Sequence, residues 1–255
     1  MSQTKERPIL FNTDMVRAIM NGRKTQTRRV IKPQPEAHHR AVVRCNVLDG
    51  SDREYFLYQH EDPKKTKAVR CPYGQPGDLL WVRETFERTT HELLSQMHRD
   101  SWNRYLYKAT HRQPRKKWKP SIFMPKDAAR IWLQVKSVRV EQLKDISEED
   151  AKAEGIRGQF IDLFQETRWR DYMQNQPERF YDWRLPSSSF FSLWESINGS
   201  ASLKENPLLW VVEFDVLSTK GKPEAWKGKQ LRVDEEADAS APLSDRKATT
   251  PSTID

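Results

Sequence analysis

Apolar residues along this chain fall into short runs of period two, separated by brief helical repeats. Pro8 to Phe11 is an apolar strand candidate, and it leads to Thr13, which can cap a helix. In that helix Val16, Ile19 and Met20 recur at helical spacing, and Gly22 ends it where a left-handed residue is needed. Val42 to Val47 and Tyr55 to Tyr58 read as a hairpin. Gly74, Pro76 and Gly77 make a turn, after which Leu80 and Val82 alternate with Trp81 and Arg83 on a strand.

Ile131, Leu133 and Val135 alternate, and Val138 and Val140 continue in the opposite phase. A bulge near Lys136 and Ser137 places both runs in one bent strand. Ile122-Phe123-Met124, held between Pro120 and Pro125, reads as an edge or loop segment that serves packing. Ser147 starts a helix with Asp150 at the capping-box position, Ile146 set to staple against Ala151, and Gly155 at its end. On spacing alone, Glu154 in its last turn is expected to be exposed. Phe160, Leu163 and Phe164 suggest a further amphipathic piece. Phe190, Leu193, Trp194 and Ile197 form a core-facing helical stripe stopped by Gly199, and Leu209 to Leu217 reads as a closing strand.

Short strands separated by capped helices, without a regular strand and helix alternation, predict an α+β fold. Its expected form is a small bent barrel with flanking helices and long insertions. The main domain is expected over 1–217, with insertions at about 32–75 and 87–118, and 218–255 as a polar C-terminal arm and tail.

Composition narrows the function. A hydrophobic fraction of 36% implies a modest core with much surface or loop. The 44 Lys and Arg outnumber the 36 Asp and Glu, giving a formal charge of +8 that favours a polyanionic partner such as RNA or DNA. Cys45 and Cys71 are too few for a disulfide framework or a Cys-rich zinc site, and no carboxylate and histidine spacing makes a metal site. No cofactor is expected. No apolar run approaches the roughly 18 residues of a membrane helix. With no signal segment evident, the expectation is a cytoplasmic protein.

Two stretches carry candidate chemistry. In the first, Arg23, Lys24, Thr25, Thr27, Arg28 and Arg29 follow the Thr13 helix as a basic, hydroxyl-rich turn or strand, a natural rim for an anion or polar ligand. Lys24 and Thr27 are three apart, so a bend is needed to aim both into one pocket. In the second, Arg104, Lys108, Arg112, Arg115, Lys116 and Lys117 are interleaved with Trp102 and Tyr105. Cations neutralise phosphate while rings stack on unpaired bases, so this composition suits RNA contact. The glycines near residue 74 are wrongly placed for a phosphate-binding loop.

Asn21-Gly-Arg-Lys-Thr-Gln-Thr-Arg-Arg and Gly77-Asp-Leu-Leu-Trp-Val-Arg-Glu resemble motifs of the ASCH family of the PUA-like superfamily, in its long phage and prophage form. Lys119-Pro-Ser-Ile-Phe-Met-Pro, the Ser147 to Gly155 helix, Leu193-Trp-Glu-Ser-Ile-Asn and the strand from Trp210 to Val216 extend the likeness. The resemblance implies a barrel whose cleft accepts RNA or a modified nucleobase. It also implies Lys24, Thr27 and Glu154 as the residues that would hydrolyse the amide of an N4-acylated cytidine. In that scheme Lys24 deprotonates Thr27 or a water and Glu154 protonates the leaving amine. A non-catalytic RNA- or DNA-binding protein is the rival reading. A ribonuclease is a third, although His38 and His39 are adjacent in sequence and give no paired-histidine geometry.

Overall fold

The computed structural model describes residues 4–34, 40–45, 55–59, 67–88, 105–111, 113, 117–174 and 183–224. Met1–Gly221 form one compact unit and Lys222–Asp255 a second. In chain order the first unit contains β1 (Glu6–Leu10), α1 (Thr13–Met20), β2 (Gln26–Val30), β3 (Arg40–Cys45), β4 (Tyr55–Gln59) and β5 (Lys67–Arg70). There follow β6 (Leu79–Arg83), β7 (Phe86–Arg88), β8 (Tyr105–Tyr107), β9 (Trp132–Gln142) and α2 (Glu148–Ala153). The last elements are β10 (Gly158–Ile161), β11 (Glu166–Trp169), α3 (Pro186–Glu205) and β12 (Leu208–Ser218).

The main sheet has five strands in the order β1-β6-β9-β12-β2, with β1 parallel to β6 and every other pair antiparallel. Three smaller sheets, β3-β4-β5, β7-β8 and β10-β11, lie outside it. Alternation along β12 sends side chains to both faces. Trp210, Val212 and Phe214 join Val16 and Ile19 of α1 in one core. Leu209 joins Ala151 of α2 and Phe190 and Trp194 of α3 in the other. The sheet is thus covered on both sides, and β6 and β12 are apolar along most of their length, while β9 alternates apolar with polar residues. In β9, Glu213 pairs with Ser137 and Phe214 with Val135, leaving Lys136 as an extra residue. This bulge restores phase, so that Val135 and Val138 face the same core.

The expected barrel is overturned. The strand order is linear, its ends are β1 and β2, and no ladder joins them. β1 suits an edge: it is five residues long, only Ile9 is buried, and Pro8 withdraws a ladder donor. The Arg29 guanidinium donates to the Leu10 carbonyl, a side-chain link where a closed barrel would have a ladder. The ASCH and PUA-like identification is corrected by the same finding. So are the hydrolase and phage-protein expectations attached to it, because each depended on that barrel.

Other elements differ in detail. Asn12, not Thr13, caps α1, its side chain accepting from the Met15 N–H at 2.8 Å. Phe160 lies in β10, and Leu163 and Phe164 in the turn to β11, all three exposed. Gly199, at φ 83°, breaks α3, but helix resumes to Glu205. Among the described residues no helix is long and apolar enough to cross a membrane, and no group of three or more His, Cys, Asp or Glu is placed to hold a metal ion.

Candidate functional site

The site is built where the chain leaves α1 and enters β2. Lys24 and Glu154 form an isolated antiparallel bridge, and the Thr25 N–H donates to the Ala153 carbonyl at 2.9 Å, tying this turn to the end of α2. Gly155 permits the approach. Its φ is +87°, and a Cβ there would lie 2.8 Å from the Lys24 Cβ and 2.9 Å from the Ala18 Cβ.

Lys24 Nζ donates to Glu154 Oε2 at 2.7 Å and to the Glu154 carbonyl at 2.9 Å. Lys24 is wholly buried and Glu154 is 6% exposed, so the expectation of an exposed glutamate is overturned. Burial pushes the Lys24 ammonium below the usual lysine range. Glu154 opposes that shift, while Arg29 and Arg28 add to it. Arg23, a candidate for the basic rim, donates to the Gly155 and Ile156 carbonyls at 2.8 and 3.2 Å.

Arg28 is held from three sides. Its Nη1 lies 3.4 Å from Glu154 Oε1, and its Nη2 lies 2.7 Å from Glu141 and 2.8 Å from Asp150. Arg139 extends the network to Glu141, Glu213 and the same Asp150 oxygen. Burial would raise the Asp150 carboxyl, but Arg28 and Arg139 outweigh it and hold the group below its ordinary value. Asp150 therefore fills half of the expected capping box. Its N–H donates to Ser147 Oγ at 3.1 Å, while its carboxylate serves the arginines.

Arg29 differs from its neighbour. Among the described residues it has no carboxylate at ion-pair distance, and its guanidinium lies 5.2 Å from the Phe11 ring and 5.9 Å from the Tyr73 ring. Burial lowers its proton affinity, with Tyr73 and Glu154 opposing. Its Nη2 bonds Leu10, and its Nη1 has no protein acceptor among the described residues.

A cleft of about 90 Å³ opens at the free edge of β2. Met15 of α1, Thr27 to Val30 of β2, Glu154, and Phe190, Leu193, Trp194, Ile197 and Asn198 of α3 line it. This is several times the ten to fifteen Å³ or so at which a cavity first admits a water, so the space is wide enough for a small polar ligand or part of one. The Thr27 side chain makes no hydrogen bond among the described residues. The Asn198 amide donates once, to the Trp194 carbonyl at 3.2 Å, which leaves its oxygen as an acceptor.

The structure thus gathers four of the sequence candidates, Thr27, Arg28, Arg29 and Glu154, around one cleft. Lys24 is bonded to Glu154, does not line the space, and makes no hydrogen bond to Thr27. Thr25 is exposed. In the second stretch, Trp102, Arg104, Arg112, Arg115 and Lys116 lie outside the described residues. Tyr105 is buried against Phe86 with its hydroxyl donating to Asp127 at 2.9 Å, a packed ring and not an open stacking surface. Lys108 and Lys117 are exposed.

The spacing of the α3 lining predicts core. Phe190 and Trp194 are indeed buried, but Ile197 is 51% exposed, so the apolar stripe outruns the core beneath it. That excess is the one signal that could have marked the cleft wall. Met15, Arg139 and Glu141 carried no comparable signal.

Comparison with protein-family models, with curated proteins and with solved structures gives no match to this chain.

Proposed function

We propose that the cleft recognises one nucleobase, in RNA or in a modified nucleoside, with sugar and phosphate left outside. One observation carries this reading. The lining of one small space brings together the apolar Phe190 and Trp194, a Thr27 whose hydroxyl makes no hydrogen bond among the described residues, and Arg29, which has no carboxylate at ion-pair distance there. A base offers flat apolar faces and a polar edge, which is the complement of such a lining. Glu154, fixed by Lys24 and Arg28, adds an acceptor for an exocyclic amine. The formal charge of +8 favours the attached phosphates.

The reading is recognition without turnover. Thr27 has no base hydrogen-bonded to it, and the Lys24 amine is already engaged by Glu154. Buried this way, Lys24 positions the carboxylate.

Calorimetric titration with free nucleosides and with short single-stranded RNA and DNA tests the reading. Binding that falls about tenfold in Thr27→Val, a change that keeps shape and removes the hydroxyl, supports it. Wild-type protein that takes up neither nucleoside nor nucleic acid overturns it. Equal binding of RNA and DNA would place the 2′-hydroxyl outside the contact.

A further inference from the structure

A second feature lies in the turn that follows Pro120. Ile122 and Phe123 are 58% and 69% exposed, yet they belong to a closely held turn. Met124 next to them is fully buried and its sulfur accepts the Glu84 N–H at 3.1 Å. Arg83 donates from Nε to the Met124 carbonyl at 3.0 Å and from Nη2 to the Ile122 carbonyl. The Phe123 N–H donates to the Pro120 carbonyl at 3.1 Å. The ring is therefore presented to solvent by a fixed backbone, and its exposure does not come from a loose loop.

Its surroundings are cationic. Lys119 is placed by two backbone hydrogen bonds to Phe86, at 2.7 and 3.1 Å. Lys117 and Lys119 are exposed, and neither makes an ion pair among the described residues. Two acids of the neighbouring strands are ion-paired, Glu6 with Lys126 at 2.6 Å and Glu84 with Arg130 at 2.8 Å, while Asp127 accepts from the Tyr105 hydroxyl. Three successive contacts connect this turn to the cleft. Arg29 bonds the Leu10 carbonyl, Leu10 pairs with Arg83, and Arg83 bonds the Ile122 carbonyl.

We infer that Phe123 is a stacking platform for a further base of the same ligand, with Lys117 and Lys119 on the backbone phosphates, so that the ligand is single-stranded nucleic acid. This inference rests on the reading of the cleft as a base site. A ring stacks on any base face without regard to sequence, so the platform adds affinity while the cleft selects. A free nucleoside reaches the cleft alone and gains nothing from Phe123.

The test is fluorescence anisotropy with labelled short oligouridine and oligodeoxythymidine, alongside calorimetry with the free nucleosides, on wild type, Phe123→Ala and Lys117→Ala/Lys119→Ala. Phe123→Ala is expected to weaken oligonucleotide binding about tenfold or more and to leave nucleoside binding unchanged. The double lysine variant is expected to flatten the dependence of affinity on salt. Wild-type affinity in Phe123→Ala overturns the inference, as does a wild type that binds no oligonucleotide. So does a loss of self-association in light scattering without any loss of oligonucleotide binding, since Phe123 would then serve a protein contact. Thr27→Val separates the two proposals. If it spares both ligands while Phe123→Ala abolishes oligonucleotide binding, the base site in the cleft fails and the platform stands.

Discussion

Lys24 Nζ lies 2.7 Å from Glu154 Oε2, across 130 residues of sequence and with both side chains buried. The pair joins the end of α1 to the end of α2 and fixes a carboxylate at the cleft. Two charges in such a place have lost their hydration, and each depends on the other. Arg28 shares the carboxylate, which spreads its charge over two cations.

Lys24→Met is therefore expected to lower unfolding stability by about 3 kcal/mol, because it leaves the buried Glu154 with only the longer contact to Arg28. Glu154→Gln should cost a similar amount by stranding Lys24. The double variant should lose clearly less than the sum of the two. Urea unfolding of the four proteins checks this, and additive losses would show that the pair is not coupled.

Gly155→Ala is expected to destabilise by about 2 kcal/mol or more. The residue has φ +87°, and the new Cβ would press on Lys24 and Ala18 at 2.8 and 2.9 Å. Thermal unfolding measures the loss, and a melting temperature equal to wild type would mean that the close approach of the two chain segments can relax freely.

Part of this was legible beforehand. The α1 repeat, the phase change in β9 and the alternation of β12 are local patterns, and most of their apolar positions are core, although Met20 and Val216 at their ends are exposed. The sheet's edges were not legible, because closure depends on which strands meet, and alternation within a strand does not encode its neighbour. The Lys24 and Glu154 pairing was hidden for the same reason. From spacing a glutamate in a last helical turn is expected in solvent, and only the cations brought in from β2 and the turn before it make its burial tolerable. Tyr105 shows the converse. Its place among lysines and arginines suggested an open ring, whereas Phe86 and Asp127 claim both its face and its hydroxyl.

Acid sensitivity should trace to Asp150. Burial would raise its carboxyl, but Arg28 and Arg139 hold it below the ordinary value of 3.8. A group depressed in the folded state stabilises fully above the unfolded value and loses that contribution as pH falls through the folded one. Asp150→Asn is expected to be less stable at neutral pH and to show a flatter loss below about pH 4. Stability followed by circular dichroism from neutral pH downward reads this out. Parallel curves for the two proteins would remove Asp150 from the acid response.

Thr27→Val should leave stability within about 1 kcal/mol of wild type, since the hydroxyl makes no hydrogen bond among the described residues. A larger loss in denaturant unfolding would mean that the hydroxyl holds the fold together, and would take it away from the ligand.

The base-recognition reading is tested most directly by photo-crosslinking a short 4-thiouridine RNA to the protein and mapping the adduct by mass spectrometry. If the cleft holds a base, the adduct falls on its lining, at Trp194, Phe190 or Asn198, and free nucleoside competes it away. Adducts that map only outside that lining, or that nucleoside does not displace, would contradict it.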